Sequence, residues 1–359
     1  MRAAVLPGVN EKVEYHTDVE LMGPGPGEVR IRIAASGVCH SDIGGQNGTF
    51  PQPTPCVLGH EGAGEVVEIG DGVTSLTTGD HVIISWVPPC GACPSCARGQ
   101  GHLCMTLLAM QAVTPHFSLG GAPLFGFAGT GTFAEELVVK EQGAIKIDDD
   151  IPFDIASLIG CGVMTGAGAA LNTAKVQPGS SVVVIGCGGV GISVIQGARI
   201  AGASTIVAVD PVESKHELAK SFGATHAVLP KDVQGAINEL TGSEGFDYAF
   251  EVVGTPATIR AAYDAARRGG TAVVVGAGRM EEMVSFSAYE LFYMEKAILG
   301  CFYGSADVLT DYHRLLGYWR EGKLDLEGMI SRRIDVSEIN EAFDAMLAGE
   351  VIRSVVEFK

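Results

Sequence analysis

The sequence predicts an α/β chain in which an open, doubly wound parallel sheet of the Rossmann type is joined to a mostly β domain. From about residue 163 onward, apolar runs alternate with helical stretches, which is the pattern of βαβ units with right-handed crossovers. Residues 1–85 hold short β-like runs separated by turns rich in proline and glycine, as in a barrel-like β domain. We therefore assign residues 1–162 and 302–359 to the β domain, and residues 163–301 to the parallel-sheet domain.

The individual elements follow from the same patterns. The β domain should contain strands at residues 29–34, 64–69 and 131–139, where β-branched residues recur between turn signals. In the other domain, a buried strand at 182–185 should precede a helix that ends near residue 201. Its later elements are predicted as strands at 205–209, 227–229, 248–252, 271–275 and 297–299, with helices between them, one of which is at 214–222. A last strand at 353–358 should fold back onto the β domain.

Composition and charge exclude several classes of function. An apolar fraction of 47% with 18% charged residues predicts a folded protein with a large core. The formal net charge of -18 argues against nucleic acid and anionic membranes as partners, because both would repel such a surface. The N-terminus lacks the apolar core of a signal peptide, so the nine cysteines favour metal ligands or free thiols in a cytoplasmic protein.

Two uncharged stretches, residues 155–174 and 176–198, are long enough to suggest membrane spans. Glycines interrupt both of them, and the second begins with the turn signal Pro178-Gly179. A buried strand, turn and helix would account for these uncharged stretches better than a membrane span does, so we predict no membrane segment.

Four cysteines lie close together in sequence, at Cys90, Cys93, Cys96 and Cys104. Four thiolates at this spacing match a closed, tetrahedral structural zinc site. A zinc ribbon for nucleic acid is one alternative, although Arg98 is the one arginine or lysine of the loop and the chain is acidic. An iron–sulfur cluster is the other, since three of the four cysteines would also suit it.

A glycine-rich loop joins the predicted strand 182–185 to the helix after it. Its glycines Gly186, Gly188 and Gly191 permit a tight turn and the close approach of a pyrophosphate to the helix N-terminus. Asp210 ends the next strand, 24 residues after Gly186, where a carboxylate can bind the adenosine ribose and repel a 2′-phosphate. The loop therefore predicts NAD in preference to NADP, with a turn that binds no ligand as the alternative.

A second set of metal-binding side chains surrounds residues 37–61. Cys39, His60 and Glu61 offer a thiol, an imidazole and a carboxylate, and a site rich in sulfur and nitrogen suits zinc. A catalytic zinc has three protein ligands and one open position, so a ligand from elsewhere is needed, and Cys161 is the best candidate. The histidine has no second histidine at the metalloprotease spacing, which excludes a helix-borne peptidase motif.

Two polar residues follow Cys39 directly. Asp42 is placed to orient a ligand histidine, which is the usual role of a carboxylate just outside a metal site. Ser41 is either a turn residue or a hydroxyl that faces the metal.

The order of these motifs resembles the zinc-dependent medium-chain alcohol dehydrogenases over essentially the whole chain. The motifs are CHSD at 39–42, GHEGAG at 59–64, the four-cysteine loop, GCGV at 160–163 and GCGGVG at 186–191. The resemblance implies a GroES-like catalytic domain, two zinc ions per chain and NAD. The long segment between Cys104 and Cys161 resembles the dimer-type branch that includes class III enzymes and actinobacterial nicotinoprotein-like relatives, which implies a homodimer, with a tetramer as the alternative.

The resemblance also implies roles for single residues. Cys39, His60 and Cys161 would bind the catalytic zinc, with Glu61 as an alternate or nearby ligand, and Ser41 would take the proton of the alcohol. The implied cofactor-binding residues, running from the pyrophosphate through the adenosine ribose to the nicotinamide side, are His40, Arg353, Gly186, Gly188, Gly189, Val190, Gly191, Asp210, Lys215, Thr165, Val253, Val275, Gly276 and Ala277.

Two further positions concern the substrate, and one departs from the family pattern. Phe50 and Trp86 match positions that line the substrate pocket. Many relatives carry a histidine five residues after the first ligand cysteine, where it passes the proton to solvent, but this chain has Gly44 there. Water or another base must then complete the proton relay.

We therefore expect an NAD-dependent zinc alcohol dehydrogenase that interconverts primary alcohols, medium-chain or aromatic, and their aldehydes. The alternative within the family is a thiol-dependent formaldehyde dehydrogenase that acts on an S-hydroxymethyl adduct of glutathione or mycothiol. That activity would need a polar, basic pocket mouth. A non-catalytic zinc- and nucleotide-binding protein is the second alternative, but it would be expected to lack a catalytic ligand or Ser41.

Overall fold

The computed structural model describes all 359 residues, which divide into two compact units. The first comprises Met1–Cys161, Asp307–Trp319 and Leu326–Lys359, and the second comprises Gly162–Ala306 and Arg320–Asp325.

The strands are β1 (Ala3–Leu6), β2 (Glu14–His16), β3 (Glu20–Leu21), β4 (Glu28–Gly37), β5 (Cys56–Val57), β6 (Glu61–Ile69), β7 (His81–Ile84), β8 (Phe117–Leu119), β9 (Ala122–Gly126), β10 (Glu136–Lys140), β11 (Ala144–Lys146), β12 (Ser181–Ile185), β13 (Thr205–Val209), β14 (His226–Val228), β15 (Phe246–Glu251), β16 (Ala266–Val274), β17 (Ala297–Gly300), β18 (Ile330–Ile334) and β19 (Arg353–Glu357). The α-helices are α1 (His40–Gln46), α2 (Pro94–Ala97), α3 (Met105–Ala112), α4 (Phe153–Leu158), α5 (Met164–Gly168), α6 (Gly189–Ile200), α7 (Ser214–Ser221), α8 (Val233–Leu240), α9 (Pro256–Ala265), α10 (Ala288–Met294), α11 (Val308–Arg320) and α12 (Ile339–Leu347).

The first unit is built from two mostly antiparallel sheets. One has the order β2-β1-β5-β9-β8-β3, and the other has the order β11-β7-β6-β4-β19-β18 with β10 paired to β4. Strand β4 lies at the centre of the second sheet, where it pairs with β6, β10 and β19. Its valine and isoleucines are buried on one face of the sheet, and its arginines alternate with them on the other. The C-terminal strand β19 pairs antiparallel with β4, so the tail returns to the β domain as the sequence predicts.

The predicted strand at 131–139 begins later than expected, since β10 starts at Glu136. Gly131 has a φ of 79°, which bends the chain there. The amide of Thr132 donates to the carbonyl of Gly59, and the amide of Phe133 donates to that of Leu58. These residues therefore form a loop that is tied to the segment just before His60.

The second unit is a parallel sheet with helices between its strands. Its strand order is β14-β13-β12-β15-β16-β17, and every neighbouring pair is parallel. Numbered within the unit this is the order 3-2-1-4-5-6 of a doubly wound sheet, whose ligand crevice lies where the order reverses, between β12 and β15. The Rossmann-type fold predicted from the sequence is confirmed.

One helical stretch, Phe153–Thr173, is long and apolar enough to cross a membrane by length and composition alone. It has a mean hydropathy of 1.4, and 83% of its most apolar window is buried. A helix whose apolar side chains are already covered by protein is a core helix, so its composition reflects packing.

Candidate active site

The pairing of β4 with β6 brings Cys39 and His60 together. In this antiparallel pair Gly37, the last residue of β4, lies opposite Glu61, the first residue of β6. Cys39 follows the end of one strand by two residues, and His60 directly precedes the other. Both side chains are therefore at the same edge of the sheet, although 20 residues separate them in the chain.

Cys161 completes this cluster from a distant part of the sequence. It lies in a π-helical turn, Ile159–Val163, that follows α4. The ligand atoms of Cys39, His60, Glu61 and Cys161 all lie within 4.8 Å of one another, and all four residues are buried. π-helical turns within α-helices are often found at functional sites, as here.

Asp42 connects the two segments that carry the first two ligands. Its Oδ2 accepts from the amide of Cys39 at 3.0 Å, and its Oδ1 accepts from the amide of Gly59 at 3.1 Å. The same Oδ1 is 3.0 Å from Nδ1 of His60, while Nε2 of that ring is buried with no hydrogen-bond partner. Asp42 thus orients the imidazole so that Nε2 is left for a metal.

The electrostatics of the cluster favour a bound cation. A hydrogen bond from Cys161 lowers the pKa of Cys39 well below its usual range, despite burial, and His60 and Arg353 lower it further. Burial lowers the pKa of His60, but the Asp42 carboxylate and Cys39 raise it to about 10. A thiolate is the form of cysteine that binds metals, so the site stabilises the positive charge that Zn²⁺ provides.

Glu61 is also held by a buried partner. Arg353, in β19, forms an ion pair with the Glu61 carboxylate, and both residues are at most 4% exposed. The structure thus places Arg353 beside the metal cluster, since β19 pairs with β4 and β4 with β6. A contact of Arg353 with a pyrophosphate stays a prediction, as does direct ligation by Glu61.

Aromatic rings surround the ligand His60. The ring of Trp86 meets it edge-on with centroids 6.3 Å apart, and the ring of Phe127 does so at 5.3 Å. Phe127 was not identified from the sequence, where it lies in a glycine-rich stretch that has no motif of its own. Phe50 is half-buried and packs against Gly44, and a role for it in substrate binding stays a prediction.

Ser41 lies next to the cluster, and His40 lies further out. The Ser41 hydroxyl is 3.7 Å from Sγ of Cys39, so it is on the metal side of α1. His40 is exposed at the start of the same helix, and its contact with a cofactor stays a prediction.

The four-cysteine loop forms a second cluster. The Sγ atoms of Cys90, Cys93, Cys96 and Cys104 lie within 4.8 Å of one another. The pairs Cys90–Cys96 and Cys93–Cys104 are 4.0 and 3.9 Å apart, close to the roughly 3.8 Å that two thiolates of a tetrahedral zinc site must have when Zn–S is about 2.3 Å.

Backbone amides prepare this cluster for metal. The amide of Cys93 donates to Sγ of Cys90, and the amide of Cys96 to Sγ of Cys93. Hydrogen bonds from the amides of Ala92 and Cys93 lower the pKa of Cys90 to about 6, whereas burial raises the pKa of Cys96 to about 12. A mixed set of this kind binds metal with release of the remaining protons.

In the second unit, the glycine loop has the geometry of a phosphate cradle. Gly186 has a φ of 100°, and a β-carbon on Gly191 would lie 1.9 Å from the carbonyl oxygen of Gly186, so no other residue fits there. A β-carbon on Gly188 would meet no atom within 4 Å, which leaves the start of α6 (Gly189–Ile200, with Val190 in its first turn) open to a pyrophosphate.

Asp210 lies beside this loop at the end of β13. Its Oδ2 accepts from the amide of Cys187 at 2.9 Å, and its Oδ1 accepts from the amide of Val212 at 2.9 Å. Lys215 is 3.8 Å from Oδ2, which puts a cation where the adenosine ribose is expected. The carboxylate therefore also fixes the conformation of the glycine loop.

The remaining predicted cofactor residues lie near the same crevice of the second unit. Val253 and the run Val275-Gly276-Ala277 follow β15 and β16, at the carboxyl ends of adjacent strands. Thr165 lies in α5, which packs closely on α6, since a β-carbon on Gly166 would lie 2.3 Å from the carbonyl of Val190.

Known proteins share this architecture along the whole chain. The family described as alcohol dehydrogenase GroES-like domain matches residues 25–149, and the family described as zinc-binding dehydrogenase matches residues 189–317. The S-(hydroxymethyl)glutathione dehydrogenase of Paracoccus denitrificans is 38% identical over 372 residues, which cover 99% of each chain. Alcohol dehydrogenase class-3 of Drosophila melanogaster is 40% identical over 355 residues, which cover 95% of this chain and 93% of that protein.

Among solved structures, benzyl alcohol dehydrogenase from Acinetobacter calcoaceticus has a TM-score of 0.93 to this chain at 33% identity, and the alignment covers 100% of this chain and 99% of that one. The fold and the two thiolate clusters together define a zinc-dependent dehydrogenase. The chain belongs to the zinc-dependent medium-chain alcohol dehydrogenases, and it is a zinc-containing, NAD-dependent oxidoreductase.

The residues of the first cluster fit the chemistry of this family. Zinc held by Cys39, His60 and Cys161 would supply a Lewis acid that acidifies a bound alcohol. The Ser41 hydroxyl, on the metal side, would take up the alcohol proton, and Asp42 keeps the His60 ring in its orientation. Because the cluster is buried, these groups act in a medium where charge interactions are strong.

Proposed function

We propose that this enzyme oxidises primary alcohols with an apolar or aromatic substituent to aldehydes, and catalyses the reverse reduction, with NAD as the hydride carrier. The observation that supports this most directly is the pair of rings, Trp86 and Phe127, placed edge-on around His60. Apolar surface removed from water contributes about 25 cal/mol per Å², so an aromatic wall beside the metal favours a benzyl or hexyl group over a methyl group.

A second candidate function is the oxidation of S-hydroxymethyl adducts of a thiol. The names of the curated relatives support it, because relatives 38–40% identical over 95–99% of this chain are called S-(hydroxymethyl)glutathione dehydrogenase or alcohol dehydrogenase class-3. By this measure the thiol-dependent hypothesis is better supported than the free-alcohol hypothesis.

The composition of the segment around Phe127 bears on which thiol the second candidate function would use. Residues 105–131, which include Phe127, contain no lysine or arginine. Glutathione carries two carboxylates. A binding site for it needs cationic side chains, because these offset the free-energy cost of removing the carboxylates from water. A neutral thiol would need none, so it fits this segment better.

Steady-state kinetics with NAD distinguish the two functions. We expect kcat/KM for benzyl alcohol and hexanol to exceed that for formaldehyde mixed with glutathione, and that for formaldehyde mixed with an uncharged thiol, by at least tenfold. An artificial electron acceptor is included, because a tightly held NAD would otherwise hide turnover. Activity with formaldehyde that depends on added thiol and exceeds the activity with benzyl alcohol would establish the second function and overturn the first.

We also propose that the enzyme is a homodimer that pairs through β17. This strand lies at the edge of the parallel sheet, and three of its four residues are exposed. Large apolar side chains just before it are exposed too: Met280, Met283, Tyr289 and Phe292, at 69–80% each. An edge strand can pair antiparallel with its own copy about a two-fold axis, which would cover this patch.

Light scattering tests the assembly. The wild-type chain should have the mass of a dimer, and Phe292→Glu combined with Ile298→Lys should have that of a monomer. A wild-type monomer, or a dimer unaffected by both substitutions, would exclude this interface, and a tetramer would require a second one.

We also propose a cytoplasmic location, which the absence of any disulfide among the nine cysteines supports.

A further inference from the structure

A buried carboxylate that no motif identifies lies at the end of β15. Glu251 is the last residue of that strand, and its side chain is fully buried. Its Oε1 accepts three hydrogen bonds, from the amide of Val253 at 2.8 Å, the amide of Gly254 at 2.7 Å and the hydroxyl of Thr258 at 2.7 Å. Its Oε2 is buried with no hydrogen-bond partner.

Burying a carboxylate with one oxygen unpaired is unfavourable, so a residue of this kind needs a reason to be there. A leucine would pack in a buried strand without that cost. The three bonds to Oε1 all fasten one segment, the turn at residues 252–255 and the helix α9 that follows it. The carboxylate therefore stabilises one conformation of that turn.

The turn packs between two other loops of the same unit. On one side, a β-carbon built on Gly186 would lie 2.9 Å from Cγ2 of Val253, and one built on Gly191 would lie 3.2 Å from Cγ2 of Val252. On that side the turn thus touches both ends of the glycine loop.

On the other side, the turn meets the segment after β16. A β-carbon on Gly276 would lie 2.2 Å from the amide nitrogen of Gly254, and the amides of Val275 and Gly276 both donate to the carbonyl of Glu251. Gly254 has a φ of 91°, and a β-carbon there would lie 2.5 Å from the carbonyl oxygen of Ala277.

We propose that Glu251 is a positioning residue for the nicotinamide cofactor, because its carboxylate fixes the turn that sets the distance between the glycine loop and residues 275–277. These three segments follow β12, β15 and β16 at their carboxyl ends, beside the point where the strand order reverses and dinucleotides bind. The inference rests on the NAD-dependent activity but does not depend on which alcohol is oxidised.

The test compares Glu251→Leu, which removes the acceptor, with Glu251→Gln, which retains an acceptor oxygen. Binding of NADH is measured by its fluorescence, without any alcohol, together with zinc content and the KM for NAD. We expect Glu251→Leu to weaken NADH binding and to raise the KM for NAD by at least tenfold, with a change in kcat below threefold and two zinc ions retained. Glu251→Gln should restore binding to within about threefold of wild type.

Asp247→Asn is the matched control. Asp247 lies near the other end of β15, where it accepts from the amide and hydroxyl of Ser181 and from Arg267. Loss of the Asp247 carboxylate charge should lower the thermal stability of the enzyme without changing its KM for NAD.

An unchanged NADH affinity in Glu251→Leu, or an equal loss in Asp247→Asn, would overturn the proposal. If the leucine variant does not fold, Thr258→Val removes one of the three donors, and an NADH affinity equal to wild type would overturn it as well. Failure of every alcohol to turn over, with NADH binding changed as expected, would instead count against the proposed substrate class.

Discussion

The ring of Phe50 fills the space that a side chain at residue 44 would need. A β-carbon on Gly44 would lie 2.5 Å from Cδ2 and 2.7 Å from Cε2 of Phe50, and the amide of Phe50 donates to the carbonyl of Gly44 at 3.0 Å. The turn after α1 therefore folds back over its own helix. A side chain at position 44, where many relatives carry the relay histidine, would require the Phe50 ring to move.

We expect Gly44→His to destabilise the enzyme without creating a new proton pathway. Overpacking of a filled site costs about 1–3 kcal/mol, and here the added side chain would have to displace the Phe50 ring. Urea unfolding measures the loss. The double variant Gly44→His with Phe50→Ala should recover part of it, since the two side chains compete for one space. A single histidine variant as stable as wild type, with a pH profile of kcat shifted by a new group, would contradict this.

The two thiolate clusters should have separable roles. Cys161→Ser should abolish activity, lose one zinc ion per chain and leave the melting temperature near that of wild type. Cys93→Ser should lose the other zinc ion and unfold at lower temperature, because a structural zinc contributes folding free energy directly.

Zinc analysis, activity and calorimetry measure these effects, and Cys301→Ser is the control. That thiol accepts from Thr173 and belongs to neither cluster, so its variant should retain two zinc ions and activity. One zinc ion or none in fresh, active wild-type enzyme would contradict the assignment of two sites.

Asp210 should determine the preference for NAD over NADP, and it should also support the glycine loop. Replacing it by glycine, with a nearby basic residue added, removes the charge that repels a 2′-phosphate. Because Asp210 also accepts from the amides of Cys187 and Val212, this variant should bind NAD more weakly as well.

The measurement is kcat/KM with each cofactor. We expect a preference of at least tenfold for NAD in the wild type and a preference near unity in the variant. Asp210→Asn, which keeps the size and an acceptor oxygen, should fall between them. Equal kcat/KM values for NAD and NADP in the wild type would show that Asp210 does not have this role.

The parallel sheet was predictable because its signals are local. Each strand is a short apolar run, and the observed bounds of β13, Thr205–Val209, are those expected from sequence. The glycine loop is likewise contained within one strand, one turn and one helix. In contrast, the later start of β10 depends on hydrogen bonds from Thr132 and Phe133 to residues far away in the sequence, which no local pattern reveals.

The metal-ligand residues could be predicted from the sequence, whereas the residues that surround them could not. Cysteine and histidine are rare and chemically distinctive, so Cys39, His60 and Cys161 stand out even though they are distant in sequence. Phe127 and Glu251 do not stand out, because a phenylalanine is usually a core residue and a glutamate is usually a surface residue. Their roles depend on what packs around them, and only the structure shows this.

Trp86 should control which alcohols are accepted. Its ring is half-buried and edge-on to His60, so it can crowd the carbon that bears the transferred hydride. We expect the wild type to prefer benzyl alcohol and hexanol over ethanol, and to exclude cyclohexanol. Trp86→Ala should move the preference toward branched and cyclic alcohols, with a small loss of stability. A tryptophan that serves only as core packing would instead cost about 3–5 kcal/mol of unfolding free energy, with the ranking of substrates unchanged. Measuring kcat/KM for the four alcohols alongside urea unfolding separates these outcomes, and a wild-type maximum at ethanol or cyclohexanol would refute the role of Trp86 in the pocket.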